Sequence, residues 1–471
     1  MSDRKVAAAL AALVLIVRLP FVAHTLWAWD SVLYARAIEQ GFHVGADLAD
    51  QRPHPPGYIF YVVIAAGLRL LTGDSNAALV IVSVLASALT AAAVYLLCRR
   101  FAARAVSALI ALGAASAPLV WTYSEVAMPY ALLGLLSLVL AVSLRDARAR
   151  PWPAALIASA AFGLAAGFRQ DLLLLLGPLW LWMLAARSWR ERGMCVAAVG
   201  VAALAWFAPS AALSGGLTAY LASLGGQAAR VSELSPAAGG DALLRNTLLT
   251  VYALWWGLLG FALLLLAAMV AALLARRRLS GEAAFFALWL IPAALVYVTI
   301  HIGDPGYLMS VLPGLYVAGA ALIAPIAARA PRAVLAFVAL LVALNVAAFV
   351  LADTPFSQSA ITRHDVSLHS RVTFVRERLA PASTTILAQS EYLTARYYLP
   401  EYRVLFYGDD PEVLSRAVKE VRISSATTIV VFGAIRSSTT DFAMHFNSGD
   451  PVLWGDIDAG SALVAYDLEP R

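Results

Sequence analysis

Long apolar runs recur from Val6 to Leu351, and short polar stretches rich in arginine separate them. Apolar runs of roughly 20 residues are typical of helices that cross a bilayer. About eleven such spans are predicted, over 6–23, 77–97, 105–121, 127–144, 153–168, 172–186, 194–213, 248–274, 283–300, 307–327 and 334–351. The pattern therefore predicts a polytopic α-helical membrane protein.

The apolar run at 57–71 is shorter than the others and is interrupted by a glycine and an arginine. Basic residues flank the cytoplasmic ends of membrane helices, so Arg4 and Lys5 place the N-terminus in the cytoplasm. If 57–71 crossed the bilayer, the basic cluster that begins at Arg99 and every later one would lie outside. If it is a re-entrant or interfacial helix, all of them lie inside. We therefore predict that 57–71 does not span and that the C-terminus is extracytoplasmic.

The composition changes at Asp353, beyond which charges occur at the density of a soluble protein. Apolar runs with many β-branched residues predict short buried strands here. The predicted strands cover 384–388, 403–407, 427–432 and 461–467, and a helix is predicted over 411–421. The chain is thus expected to form a transmembrane domain, 1–352, and a small α/β extracytoplasmic domain, 353–471. Acceptor recognition and simple shielding both remain open as roles for the second domain.

Composition agrees with a membrane protein, since 61% of the residues are hydrophobic, only 13% are charged and the mean hydropathy is +0.77. A soluble chain of 471 residues could not cover its surface with so few charges. The net charge of +5 comes from arginine clusters between apolar runs, so it indicates membrane topology and not nucleic-acid binding. Cys98 and Cys195 lie in apolar runs, which argues against a disulfide framework or a cysteine-ligated metal.

The polar segment 27–58 follows the first span and is rich in charged residues for the membrane region. We interpret it as the first outer loop, with Asp30 at its chemical centre. A carboxylate at this position can act as a general base that removes the proton of an acceptor hydroxyl. The alternative is structural, because Asp30 can also be the N-cap of a helix that begins at Ser31.

The same loop ends in His54-Pro55-Pro56-Gly57-Tyr58. Two prolines cannot lie inside a helix, but they can begin one. This would place Arg52 and His54 above a helix N-terminus, an arrangement that suits a phosphate group. The alternative is a proline-bounded helix start with an incidental histidine.

Three further short outer loops carry titratable residues. Glu125 is expected in a turn between two spans, where a carboxylate is costly and therefore a functional candidate; the alternative is a helix cap with Ser124. Arg169 can pair with Asp171, and a structural ion pair is the favoured role. The last loop holds candidates that either line the same cavity or only end a helix, namely His301, Asp304 and Tyr307.

Together these motifs resemble the GT-C superfamily, membrane glycosyltransferases that use lipid-phosphate sugars. The resemblance covers 6 to about 351 and favours the protein O-mannosyltransferase-like and lipid A aminoarabinose transferase-like branch. It rests on the acidic residue after the first helix, the HPPGY sequence at 54–58, the acidic segment 124–128, and the segments 163–176 and 306–313. Two positions depart from the pattern: Ser31 stands where many relatives have a second acidic residue, and His54 where many have lysine.

The resemblance implies roles for individual residues. Asp30 matches the catalytic acidic residue of the first loop, and Glu125 matches a second outer acidic residue near the acceptor. The substrate-binding candidates are Arg52, His54, Tyr58, Arg169, His301, Asp304 and Tyr307. No metal ligand and no organic cofactor is assigned, and the two departures leave donor identity and the use of a divalent cation open.

The implied function is inverting transfer of a sugar from a polyprenyl-phosphate donor to a hydroxyl of a lipid, glycan or protein acceptor on the outer face of the membrane. Asp30 would deprotonate the acceptor, and Arg52, His54 and Tyr307 would stabilise the leaving phosphate. The high alanine and arginine content indicates a bacterial plasma-membrane protein surrounded by membrane lipids, with no nucleic-acid partner.

Two other classes of protein compete with this interpretation. A lipid or glycan transporter or flippase would carry polar groups at mid-span and pairs of broken helices, whereas the carboxylates here are predicted at one surface and only one break is predicted. A non-catalytic membrane scaffold would leave the charged outer loops unexplained.

Overall fold

The structure, a computed structural model, describes residues 2–45, 50–233, 235–274, 282–408, 419–423, 427–434, 444–446, 451–457 and 463–468. The chain forms two compact units. The helical unit comprises Met1–Val22, Tyr58–Pro209 and Gly225–Ile361, and the mixed unit comprises Ala23–Gly57, Ser210–Leu224 and Thr362–Arg471. The predicted first outer loop is therefore grouped with the C-terminal segment. The predicted domain division at residue 352 stays a prediction.

The helices are numbered in chain order. They are α1 (Asp3–Arg18), α2 (Trp29–Gln40), α3 (Ile59–Thr72), α4 (Ser75–Cys98), α5 (Arg104–Ser116), α6 (Pro118–Glu125), α7 (Tyr130–Ala149), α8 (Trp152–Ala165), α9 (Asp171–Leu184), α10 (Trp189–Leu213), α11 (Leu217–Glu233), α12 (Ala242–Leu258), α13 (Gly260–Leu274), α14 (Ala283–Thr299), α15 (Leu312–Arg329), α16 (Pro331–Val350), α17 (Gln358–Arg378) and α18 (Tyr392–Tyr398). Short 3₁₀ helices cover Leu19–Phe21, Pro236–Ala238, Pro305–Ser310 and Pro381–Ser383.

Within the described part of the chain, five helices are long and apolar enough to cross a membrane, namely α4, α7, α10, α15 and α16. The number rises to seven if the bent pairs α5/α6 and α12/α13 each form one span. Four shorter apolar helices, α3, α8, α9 and α14, accompany them. The polytopic helical fold is thus confirmed, while the count of eleven spans and the non-spanning placement of 57–71 stay predictions.

Two predicted spans are not continuous helices. The run at 105–121 is divided because Pro118 begins α6, and α5 and α6 are bent by 61°. The run at 248–274 is divided at Leu259, which has a φ of 44°, and the bend there is 99°. The outer turn predicted at Glu125 is consequently wrong, because this residue is the last of α6.

Helix α4 lies at the centre of the helical unit and packs against α1, α3, α5, α6, α7 and α15. Its first turn is capped by Asp74, whose carboxylate accepts a hydrogen bond from the Ala77 N–H at 2.7 Å. The Ser83 hydroxyl of α4 contacts the carbonyl oxygens of Val126 and Met128, both at 2.9 Å. Helix α4 therefore fixes the segment that leads into α7.

The mixed unit contains a sheet of seven strands among the described residues: β1 (Thr384–Ala388), β2 (Arg403–Phe406), β3 (Lys419–Ile423), β4 (Thr428–Val431), β5 (Met444–Phe446), β6 (Leu453–Ile457) and β7 (Leu463–Asp467). Their order is β3-β7-β2-β1-β4-β6-β5. The central strands β2, β1 and β4 are parallel, and the outer pairings are antiparallel. Every residue of β1 is buried, as expected for a strand covered on both faces.

The predicted strands at 384–388, 403–407, 427–432 and 461–467 are confirmed as β1, β2, β4 and β7 within one or two residues at each end. The helix predicted over 411–421 falls largely on residues 411–418, which lie outside the described residues. Its last part is wrong, since 419–421 belong to β3. The segment between the predicted spans 194–213 and 248–274 also contains a helix, α11.

Candidate active site

Asp30 lies in the first turn of α2, a helix of 12 residues within the mixed unit. The helix begins at Trp29 and its N-cap is Ala28, so the alternative in which Asp30 is the N-cap is wrong. The hydroxyl of Ser31 accepts the Ala28 N–H at 3.3 Å, and Ser31 is 0% exposed. A second carboxylate at position 31 would be buried at this helix start, which gives a physical reason for the serine there.

The imidazole of His54 lies beside Asp30. Its Nε2 atom is 3.4 Å from Oδ2 of Asp30, and its Nδ1 atom is 2.6 Å from the carbonyl oxygen of Pro55. Both neighbours are hydrogen-bond acceptors, so only a ring that carries a proton on each nitrogen donates to both of them. Both side chains remain partly accessible, at 31% for Asp30 and 20% for His54. The pair therefore presents a carboxylate and an imidazole together to solvent or to a ligand.

Arg52 has structural contacts in the same loop. Its guanidinium donates to the carbonyl oxygen of Gln40 at 3.0 Å and pairs with the Asp50 carboxylate at 3.1 Å. The other oxygen of Asp50 lies 2.9 Å from Nε2 of His43, and the backbones of His43 and Arg52 exchange two hydrogen bonds. These contacts close the base of the loop next to the end of α2.

Residues 210–224 also hold this loop. The Val44 N–H donates to the Ser214 hydroxyl at 2.9 Å, and the Tyr220 hydroxyl donates to the Pro56 carbonyl oxygen at 2.8 Å. Tyr220 is fully buried. The two proline residues that precede Gly57 are therefore anchored from outside the loop.

The C-terminal segment binds the start of the loop. The Asp365 carboxylate accepts hydrogen bonds from the His24 N–H at 2.8 Å, the Thr25 N–H at 2.9 Å and the Thr25 hydroxyl at 2.6 Å. The Tyr398 hydroxyl accepts the Leu26 N–H at 2.9 Å. The entry to α2 is thus fixed by residues more than 300 positions later in the chain.

Arg36 and Arg396 were not identified as candidates from the sequence. Burial, together with the positive charges of Arg396 and Arg52, lowers the pKa of Arg36 to about 10. The cations on α2, on the loop and on α18 therefore influence one another. No local motif predicts this, because Arg396 is brought in by the fold of the C-terminal segment.

In the helical unit, Arg169 is 5% exposed and forms the expected ion pair with Asp171 at 2.8 Å. Three tyrosine rings surround its guanidinium. The guanidinium carbon lies 5.4 Å from the ring centroid of Tyr58, 5.3 Å from that of Tyr130 and 4.7 Å from that of Tyr307. Cation–π attraction of this kind is worth about 0.5–2 kcal/mol for a pair and grows with burial. Arg169 therefore fixes the positions of the three rings.

Two backbone features make this cluster possible. Tyr58 has a φ of 72°, a left-handed conformation that costs a non-glycine residue roughly 1–2 kcal/mol. Gly306 faces the ring of Tyr130 so closely that a Cβ atom there would lie 2.2 Å from the ring. The strained Tyr58 and the missing side chain of Gly306 both mark this cluster as a candidate functional site.

The remaining candidates lie near Tyr307. The Asp304 carboxylate accepts hydrogen bonds from the Gly306 N–H at 2.7 Å and from the Tyr123 hydroxyl. The ring centroids of His301 and Tyr307 are 6.4 Å apart. The Nδ1 atom of His301 is buried without a hydrogen-bond partner. Burial lowers the pKa of His301, and the positive charge of Arg245, a residue not singled out from the sequence, lowers it further.

Glu125 is 0% exposed and pairs with Arg18 at 3.2 Å. Arg18 also donates to the Ser87 hydroxyl at 3.0 Å and to the carbonyl oxygens of Ala115 and Trp121. These carbonyls lie on either side of the bend between α5 and α6. Glu125 is therefore part of a buried network that connects α1, α4 and the bent pair, and it does not face an open cavity.

Among the described residues, no group of three or more histidine, cysteine, aspartate or glutamate side chains is arranged to hold a metal ion.

Comparisons with known proteins identify the fold. Residues 53–212 match the family model described as dolichyl-phosphate-mannose-protein mannosyltransferase. The crystal structure of ArnT from Cupriavidus metallidurans bound to undecaprenyl phosphate has a TM-score of 0.60 and 14% identity, covering 97% of this chain and 98% of that one. The same protein in the apo state has a TM-score of 0.56 and 14% identity, covering 96% and 97%.

A search by sequence among curated proteins found no match. The structural likeness nevertheless extends over almost the whole length of both chains. The chain therefore shares the fold of these ArnT structures, and the predicted resemblance to the GT-C fold is confirmed.

Proposed function

We propose that this protein is a glycosyltransferase that moves a sugar from a polyprenyl-phosphate donor to an acceptor hydroxyl. The observation that carries the proposal is the partly exposed Asp30–His54 pair, with atoms 3.4 Å apart, in the loop after α1 of a GT-C fold. A carboxylate beside an imidazole is suited to proton transfer and to holding an anion.

The proposed reaction is a single displacement at the anomeric carbon. The Asp30 carboxylate takes the proton of the acceptor hydroxyl, and the acceptor oxygen attacks the anomeric carbon. The bond between that carbon and the phosphate oxygen breaks, and polyprenyl phosphate leaves with the electron pair. The product has the inverted anomeric configuration. The positive charge of doubly protonated His54 stabilises the developing phosphate charge, and Arg52 supplies a further positive charge.

The donor class is proposed from two relatives. The similar ArnT structure is bound to undecaprenyl phosphate, and the matching family model is named for a mannosyltransferase that uses a dolichyl phosphate sugar. Both names contain a polyprenyl phosphate, and only the name of the family model adds a sugar and an acceptor. The proposal therefore commits to a polyprenyl-phosphate hexose or pentose and leaves the acceptor as a lipid, glycan or protein hydroxyl.

The residues of the helical unit receive separate proposals. Tyr58, Tyr130 and Tyr307 are proposed to form an aromatic cluster that supports the substrate site and that Arg169 holds in place. His301 and Asp304 are proposed to position Tyr307 and its 3₁₀ helix. Glu125 is proposed as a positioning residue of α6, because its carboxylate is fully buried against Arg18.

The positive-inside pattern supports a plasma-membrane location with the N-terminus in the cytoplasm and the C-terminal segment outside. The loop with Asp30 would then act on the outer face.

The proposal is tested with purified protein in proteoliposomes that contain radiolabelled polyprenyl-phosphate sugars. Transfer to an added acceptor, or slow release of free sugar, with stoichiometric formation of polyprenyl phosphate is the expected result. Movement of intact donor between leaflets, without cleavage of the bond between sugar and phosphate, would contradict the proposal and identify a flippase. The stereochemistry of the product, read by NMR coupling at the anomeric proton, tests the inverting step separately.

A further inference from the structure

A polar cavity lies in the helical unit at the opposite end of α7 from the tyrosine cluster. Helix α7 begins at Tyr130, which contacts Arg169, and ends at Ala149. Its 20 residues correspond to about 30 Å at 1.5 Å per residue, which is the thickness of the hydrocarbon core of a bilayer. The cavity at the end of α7 has a volume of about 610 Å³. The two sites therefore lie at opposite ends of a helix that is long enough to cross a bilayer.

The charges around this cavity do not balance. Among the described residues, four arginines line it, Arg100, Arg145, Arg148 and Arg150, together with two carboxylates, Asp146 and Glu282. Four positive and two negative charges leave an excess of two positive charges. An excess of this kind in a cavity attracts an anion.

One carboxylate, that of Asp146, interacts with three of the arginines. Asp146 accepts two hydrogen bonds from Arg100 at 2.8 Å and one from Arg145 at 2.9 Å, and it lies 3.8 Å from Arg150. Arg145 also pairs with Glu282. The side chain of Arg150 is 66% exposed, so its guanidinium can move to a ligand at little cost.

Arg148 lacks a carboxylate partner among the described residues. Its guanidinium donates to the Trp182 carbonyl oxygen and lies 4.3 Å from the centroid of the Trp182 ring. The indole holds the cation at the wall of the cavity while its remaining N–H donors stay available.

The walls of the cavity are amphipathic. Trp182 and Phe285 line it beside the arginines, and Leu181, next to Trp182 on α9, is 60% exposed. Tryptophan prefers the boundary between the headgroups and the hydrocarbon of a bilayer. A ligand here would therefore meet cations at one end and apolar helix surface at the other.

We propose that this cavity binds the phosphate headgroup of an anionic membrane lipid, with its acyl chains lying against the apolar helix surface that includes Leu181. Basic pockets between transmembrane helices are suited to such headgroups, and arginine forks match phosphate oxygens in pairs. The site is separate from the sugar-transfer proposal and does not depend on it. Arg148 and Arg150 contact the phosphate, and Asp146 keeps Arg100 and Arg145 oriented.

Native mass spectrometry of the purified protein tests the site, with phosphatidylglycerol, phosphatidylcholine and glycerol phosphate as probes. The wild type should retain one phosphatidylglycerol at least tenfold more tightly than phosphatidylcholine. Arg148→Gln/Arg150→Gln should bind phosphatidylglycerol at least tenfold more weakly. Arg150→Glu should weaken binding as well. Because it changes one highly exposed side chain, it should keep the fold even if the double variant does not.

Arg190→Gln is the matched control, because Arg190 is an exposed arginine at the start of α10 that does not line the cavity. It should bind phosphatidylglycerol as the wild type does. Equal binding of the two lipids, or unchanged binding in both cavity variants with the fold intact, would overturn the proposal. Glycerol phosphate bound as tightly as phosphatidylglycerol would also overturn it, since a soluble anion would then be the ligand.

Discussion

His54 faces two hydrogen-bond acceptors, the Pro55 carbonyl oxygen and the Asp30 carboxylate, and this arrangement determines its chemistry. A neutral ring would place a lone pair against one of the two acceptors, whereas a doubly protonated ring satisfies both. In its doubly protonated form the residue places a positive charge at the position where many relatives have lysine. The sequence alone indicated the position but not the charge, because the carboxylate contact comes from a residue 24 positions earlier.

His54→Lys and His54→Gln separate charge from shape at this position. We expect His54→Lys to retain sugar transfer within about tenfold of the wild type, because a cation is preserved beside Asp30. His54→Gln should lose roughly 10²–10³-fold in kcat, the range seen when one charge-stabilising donor is removed. Steady-state kinetics with a polyprenyl-phosphate sugar measures both. Equal activity of the lysine and glutamine variants would show that the charge at position 54 is unimportant.

His301 predicts a pH dependence of stability. An unperturbed histidine has a pKa of about 6.5, and burial together with Arg245 lowers that of folded His301. As the pH falls below 6.5, the unfolded chain takes up the proton first, so the folded state loses stability until it is protonated as well. When the pH is lowered from 7.5 to 5, the Tm of the wild type should therefore fall by more than the Tm of His301→Gln. If the Tm of the variant falls by more than that of the wild type, the pKa of His301 is not lowered in the folded state, which contradicts the burial of this ring.

At the scale of elements, the sequence predicted the positions of apolar segments well, but it did not predict where the helices within them are interrupted. Most predicted spans coincide with helices, because a run of apolar residues directly reports burial in lipid or protein. The breaks at Ala117 and Leu259 were missed, since Pro118 also fits the interior of an apolar run and the left-handed φ of Leu259 has no local signal. Glu125 was misplaced as well, because its buried partner Arg18 lies in another helix and no local pattern predicts that contact.

The 3₁₀ helix Pro305–Ser310 packs closely against α7 because Gly306 has no side chain. A Cβ atom at position 306 would lie 2.2 Å from the ring of Tyr130. Gly306→Ala should therefore displace that ring, destabilise the protein by about 1–3 kcal/mol as other overpacked sites do, and lower transfer activity. Thermal unfolding and kcat measure the two effects.

Gly200→Ala is the matched control for that variant. Gly200 lies inside α10, and a Cβ atom there would meet nothing within 4 Å. Gly177 of α9 is equally open but less suitable, because it precedes Pro178, which disfavours a Cβ atom at this position. Alanine in place of a helical glycine should stabilise by about 0.5–1 kcal/mol. If Gly306→Ala behaves like Gly200→Ala, the close contact with Tyr130 does not matter for the site.

At the scale of the whole molecule, the C-terminal segment has a role that its sequence did not reveal. Its residues Asp365 and Tyr398 hold the entry to α2, and Tyr397 donates to Glu39 at 2.8 Å near the end of that helix. Both roles considered from the sequence, acceptor recognition and shielding, remain open. The structure adds a third, since the segment positions the loop that carries Asp30. Contacts between residues more than 300 positions apart could not be predicted from local patterns.

Asp365→Asn tests this positioning role. The amide has one acceptor oxygen in place of two, so at least one of the three hydrogen bonds to His24 and Thr25 is lost. A lost hydrogen bond to a charged group costs about 1.5–3 kcal/mol. We expect backbone amides of 24–40 to exchange hydrogen at least tenfold faster and kcat to fall. Glu401→Gln, which breaks an exposed ion pair with Arg376 in the same unit, should leave both unchanged.

The measurement that tests the central claim most directly is sugar transfer by Asp30→Asn beside Asp50→Asn. Both carboxylates lie in the same loop, both are 31% exposed, and each faces a histidine, at 3.4 Å for Asp30 and 2.9 Å for Asp50. If Asp30 is the general base, its variant should lose roughly 10²–10⁴-fold in kcat, while Asp50→Asn should lose much less. Transfer retained by Asp30→Asn, or an equal loss in the two variants, would contradict the assignment of Asp30 as the base.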